Sequence, residues 1–168
     1  MTFKEIKLAE LNLNPFTKID EWALLTVGDV SQFNMMTITG LMMGQLWRKK
    51  TLQVYVHPDR HSYSIINKHD YFTVSFFSEP QSKALAAAGR LHGNQVDKVK
   101  ESGLTPAFDE KGVYFSEADI VFICRKIYHT DVEQGLFDST EVFNGYYRDS
   151  KVFHRIFIGE IEKILKRV

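Results

Sequence analysis

The chain has 168 residues, 44% of them hydrophobic and 13% aromatic, which suffices for one full-sized core and falls short of two. Its 21 Lys and Arg balance 21 Asp and Glu, which argues against broad electrostatic capture of nucleic acid or an anionic membrane, and any anion must be held locally. The single cysteine, Cys124, excludes an intrachain disulfide and a multi-cysteine metal site and fits a reducing, cytoplasmic setting.

No apolar run reaches membrane-spanning length, and the opening MTFKEIKLAELN lacks the apolar stretch of a secretory signal, so a soluble, unprocessed protein is expected. No low-complexity linker or fixed-period repeat divides the chain, and residues 1–168 read as one domain. In chain order, Trp22 to Val27 and Met35 to Leu41 read as two neighbouring, paired strands separated by Gly28-Asp29 and Ser31-Gln32. Leu52, Val54 and Val56 alternate with Gln53 and Tyr55, giving a half-buried strand that runs into the turn His57-Pro58-Asp59.

Ser62 to Lys68 is expected as a short helix with Ser62 as N-cap, followed by a strand from Tyr71 to Phe77. Pro80 opens an Ala-rich helix stopped by Gly89, and Gln95 to Ser102 forms another short helix closed by Gly103. Ala118, Ile120, Phe122, Cys124 and Tyr128 share one strand face, with Val121, Ile123 and Ile127 on the other, and both faces are apolar. Val152 to Leu165 is expected as a long strand bent at Gly159. The expected fold is therefore mainly β: a closed, six-stranded antiparallel barrel with short peripheral helices, because closure removes exposed edges.

Three places carry possible chemistry. In Asn34 to Gly40 (NMMTITG), two threonines and a glycine offer hydroxyl donors and a backbone that a flat molecule can approach, although the same residues also make an ordinary strand. At Arg60-His61-Ser62-Tyr63, a guanidinium, a hydroxyl and the free N–H groups of a helix start converge as a phosphate receptor would, unless Ser62 merely caps and the cations are solvated. The run from Arg90 to Lys98 suits a loop over a ligand, with Arg90, Asn94 and Lys98 as its polar contacts, or a plain solvated connection.

His154 stands among apolar residues of the last strand, as a buried histidine or as a donor facing a ligand. None of the six histidines forms a His-Glu-x-x-His motif or a Cys/His pair at ligand spacing, and no metal is expected. The GxSxG elbow, the Walker loop and the GxGxxG turn are all missing, which removes triad hydrolases, nucleoside triphosphatases and Rossmann dehydrogenases.

Taken in order, NMMTITG, LQVYVHPDRHSY, YFTVSFF, LHGNQVDKVKESGLTP, EADIVFICRKIY and HRIFIGEIEKI resemble the flavin reductase-like family of FMN-binding split β-barrels, particularly its flavoredoxin-type members. The resemblance runs from about Asn14 to Ile164 and rests most on GNQVDK before GLTP and on the histidine ahead of Gly-Glu-Ile. It implies a split barrel that binds FMN as a homodimer. It also implies passage of electrons from NADH or NADPH through FMN to a flavin or another acceptor, the acceptor being unidentified.

By position, the resemblance sets Asn34, Met36, Thr37, Ile38 and Thr39 along the flavin ring and ribityl chain. It sets Arg60 and Ser62 on the phosphate with His61 and Tyr63 beside them, Ser75 and Phe76 flanking the cofactor, Lys98 as a further anion contact, and His154 on the nicotinamide or substrate side. Two departures stand out: Thr39-Gly40 replaces the Ser-Trp of many members, which leaves space by the ring, and Phe153 replaces an Asp that many members carry before the histidine. The alternative is an FMN-binding electron carrier or flavin store without a nicotinamide site of its own. A barrel for haem or pyridoxal phosphate lacks the axial ligand or the lysine motif that such a cofactor needs.

Overall fold

The computed structural model describes residues 2–77, 81–90 and 96–168. Its strands are β1 (Phe3–Glu5), β2 (Ala23–Gly28), β3 (Phe33–Ile38), β4 (Leu41–Leu46), β5 (Lys49–Val56), β6 (Tyr71–Phe76), β7 (Pro106–Asp109), β8 (Gly112–Phe115), β9 (Ile120–Asp131) and β10 (Arg155–Arg167). Its helices are α1 (Pro15–Lys18), α2 (His61–Lys68), α3 (Ser82–Arg90), α4 (Lys98–Ser102) and α5 (Thr140–Tyr147). No helix among the described residues is long and apolar enough to cross a membrane.

Eight strands form one antiparallel sheet in the order β3-β2-β6-β9-β10-β5-β4, with β1 on the far part of β10 and β7-β8 as a separate hairpin. The expected six strands are thus too few, and among the described residues no ladder joins β3 to β4 to close the sheet. The sheet curls nonetheless. Leu25 and Val27 of β2 lie in one buried cluster with Leu52, Val54 and Val56 of β5, although four strand-to-strand steps separate them. A flat sheet would hold them about 19 Å apart at roughly 4.8 Å per step.

The long strands bend to allow this. The β9-β10 register shifts at Ile158/Gly159 and again at Ile161/Lys163, and such bulges increase local twist. At the first shift a Cβ on Gly159 would stand 2.6 Å from the Phe72 ring and 2.7 Å from the Cys124 Cβ, so the expected glycine bend is also a point of close packing.

The sheet is covered on its other face too, by α3 and β8, whose Leu85, Ala88 and Phe115 pack with Leu24, Val121 and Ile123. This explains why β2 and the first half of β9 read as continuous apolar runs rather than alternating ones: both faces are buried. Several expected boundaries move. The strand expected from Met35 to Leu41 ends at Ile38, and 41–46 becomes β4, turning into β5 through Trp47 and Arg48, whose φ values of 51° and 61° match a two-residue hairpin turn.

The expected N-cap Ser62 lies inside α2, whose N-cap is Arg60 with an extended backbone and no side-chain cap. Gly89 does not stop α3, which continues through Arg90, whereas Gly103 ends α4 in the left-handed conformation as expected. Pro80 and Gln95 lie outside the described residues.

Candidate functional site

The candidate site is built on the edge strand β3 and what packs against its two faces. Because side chains alternate along a strand, the residues set along the flavin divide. Asn34, Met36 and Ile38 pair across from Val27, Leu25 and Ala23 and belong to the enclosed core, on the side where α2 packs. There Asn34 donates its amide to the Ser62 hydroxyl at 2.8 Å, a buried bond that fixes α2 against the strand. Thr37 lies on the opposite face, where its hydroxyl donates to the Leu85 carbonyl of α3. Thr39 is exposed beyond the end of β3.

Arg60 and Lys98 meet at the last turn of α3. Arg60 Nη1 donates to the Gly89 carbonyl at 3.1 Å, while Lys98 Nζ donates to the Ala88 carbonyl at 2.8 Å and the Met35 carbonyl at 2.9 Å. Carbonyls at a helix C-terminus carry partial negative charge and suit such cations. They are still dipoles rather than counter-ions. Among the described residues neither Arg60 nor Lys98 forms an ion pair with a carboxylate.

Burial, with a further contribution from Arg60, lowers the Lys98 pKa to about 8. Arg60 is also the N-cap of α2, whose first N–H groups have no side-chain cap. Cations and an uncapped helix start are the kinds of group that suit an anion.

The remaining sequence-predicted residues take distinct places. Ser75 is buried on the face of Leu24 and Val121, in one cross-strand row with Thr37, and its hydroxyl has no partner among the described residues. Phe76 points the other way, edge-on to Phe122 in the enclosed core. Tyr63 packs against that core with the Arg155 guanidinium 5.3 Å above its ring. His61 is half-buried and its ring makes no hydrogen bond among the described residues. Asn94 lies outside the described residues, and Arg90 is exposed at the end of α3.

Immediately ahead of β10, His154 is half-buried, with Tyr147 of α5 at 2.8 Å from its Nδ1 and the His57 ring centred 5.1 Å away, edge to face. Burial, then His57 and Arg60, depress its pKa, so the ring is neutral at pH 7. Sequence reasoning missed Tyr147, His57 and the α3 carbonyls. His57 left a trace at the end of a marked strand, whereas Tyr147 left none, because the helix that carries it was not anticipated.

A model of the family described as "Flavin reductase like domain" matches residues 21–167. Among solved structures, a flavoredoxin from Methanosarcina acetivorans is similar with a TM-score of 0.66 and 19% identity, over 87% of this chain and 68% of that one. An FMN-binding domain of a flavin reductases-like enzyme from Shewanella baltica gives 0.69 and 11%, over 98% and 77%. An NADH:FAD oxidoreductase from Streptomyces globisporus gives 0.66 and 15%, over 87% and 75%. No curated protein sequence matches the chain.

Proposed function

Because the chain belongs to the flavin reductase-like domain family, we propose that it binds FMN and passes electrons from NADH or NADPH through it to a flavin or another acceptor. The observation that carries this reading is the cation pair Arg60 and Lys98, which has no carboxylate partner among the described residues and of which Arg60 is the N-cap of α2. A dianionic phosphate is the group such a pair fits, since charge-assisted bonds and a helix start both favour it.

The other donors suit the rest of the cofactor. Asn34 and Ser62 stiffen the strand–helix junction beneath the phosphate, and the unpartnered Ser75 hydroxyl in the row of Thr37 is available to a polar edge of the ring system. When bound, FMN supplies the two-electron exchange with a reduced nicotinamide, and the protein binds, orients and tunes it. His154 is assigned to the nicotinamide or substrate side.

The same reading includes a homodimer. Met42 and Trp47 are 60% and 59% exposed, Trp47 lies edge-on to the half-exposed Tyr128, and a second copy of this apolar face is the partner that suits it.

The test is optical. Protein loaded with FMN is expected to bleach when NADH or NADPH is added anaerobically. A flavin spectrum that both nicotinamides leave unchanged overturns the reductase reading in favour of an electron carrier or flavin store. Failure to retain FMN at all overturns the assignment of the cation pair.

A further inference from the structure

We propose that Tyr147 is a positioning residue for His154: its hydroxyl donates to Nδ1, fixes the ring proton on Nε2, and so keeps a hydrogen-bond donor available on the opposite side of the ring. The inference rests on the site reading above for what that donor meets, but the positioning itself rests on geometry alone.

The Tyr147 oxygen and His154 Nδ1 are 2.8 Å apart, and the two rings meet edge to face at 5.7 Å. A neutral imidazole carries one ring proton, so the partner of one nitrogen decides what the other can do. Burial raises the Tyr147 phenol pKa, more than the His154 backbone N–H beside it lowers it, so the phenol stays protonated. His154 stays neutral because its partial burial, then His57 and Arg60, lower its pKa. With both groups neutral, a phenol that donates to Nδ1 leaves the proton on Nε2, which makes no hydrogen bond among the described residues.

The tyrosine is itself held in place. Its ring packs 5.1 Å from Phe153 and 5.6 Å from Phe137, and Phe143 of the same helix lies 5.4 Å from Phe137 and 6.5 Å from Phe153. Ser139 caps the helix by accepting from the Val142 N–H at 3.2 Å. An aromatic cluster thus stiffens α5 and aims one hydroxyl, and Phe153 contributes to that cluster rather than to the histidine directly.

The experiment uses the flavin-free 168-residue chain labelled with 15N-histidine, with the His154 signals assigned by their loss in His154→Gln. Above the ring's titration, wild type is expected to show a protonated Nε2 and a bare Nδ1 at the chemical shift of a hydrogen-bond acceptor. Tyr147→Phe keeps the ring packing and is expected to move the Nδ1 signal to the position of an unbonded nitrogen, whereas Tyr146→Phe on the same helix is expected to leave it in place. A wild-type Nδ1 that carries the proton, or a signal that Tyr147→Phe does not move, overturns the proposal. In the FMN-loaded protein, Tyr147→Phe is expected to slow bleaching by nicotinamide about tenfold with FMN affinity unchanged. A protein that ignores nicotinamide removes that arm and the reductase reading together, while the flavin-free spectra still decide the positioning.

Discussion

Two regions of the molecule handle charge in opposite ways. Across one surface of β5, β10 and β9, charges alternate and neutralise one another: Lys49 reaches Glu160 at 2.7 Å, Arg125 bridges Glu160 at 2.7 Å and Glu162 at 2.6 Å, and Lys111 reaches Glu162 at 3.0 Å. These contacts hold the Glu160 and Glu162 carboxyls below the usual range. At the β3 edge, Arg60 and Lys98 lie together without any carboxylate among the described residues, one of them buried. A self-neutralised ladder needs no ligand. An uncompensated cation pair remains open to one, and that difference points to the candidate site.

The comparison breaks most readily at Arg60. Arg60→Ala is expected to weaken FMN binding by about 1.5 to 3 kcal/mol, the size of a lost charge-assisted bond, and to leave riboflavin affinity nearly unchanged. Parallel fluorescence titrations of the two flavins check this, and an equal loss for both would detach Arg60 from the phosphate.

A pH series tests the second cation. The Lys98 pKa of about 8 lies below the ordinary value of 10.5, so between these limits the unfolded chain binds more protons and the fold gains stability as pH rises. Anion affinity runs the other way: above pH 8 the free protein has lost the proton that a bound phosphate would restore. FMN affinity is therefore expected to fall by up to about tenfold per pH unit above pH 8. Lys98→Met should flatten that slope, and a slope that survives the substitution assigns it to another group.

The smallest effect is expected in the ladder. Glu162→Gln should change stability in urea denaturation by less than about 1 kcal/mol, and less again in high salt, because partly exposed ion pairs contribute little. FMN affinity should not move. A large loss of affinity there would erase the distinction between the two regions.

How much of the site was legible follows from what each residue depends on. Arg60 and the start of α2 stood out because both parts of that receptor are contiguous in sequence, and the β3 segment stood out by composition. What each β3 side chain faces was not legible. Asn34 meets Ser62 and Thr37 meets Leu85 only because α2 and α3 pack on opposite faces of the same strand. The N-cap role given to Ser62 failed for a related reason: a buried serine bonded across to β3 had a stronger claim on that hydroxyl than its own helix did.

By itself the sequence determined the local periodicities: paired strands at β2 and β3, the double-faced apolar run of β9, the bent last strand and the Gly103 stop, each written in neighbouring residues. Only the tertiary structure decided the eight-strand count, the curl that joins β2 to β5 in one core, the meeting of Arg60 with Lys98, and the hydrogen bond between Tyr147 and His154. Alternation and capping are short-range preferences of the backbone. Which faces meet is set by burial summed over the whole chain, and no single segment carries that sum.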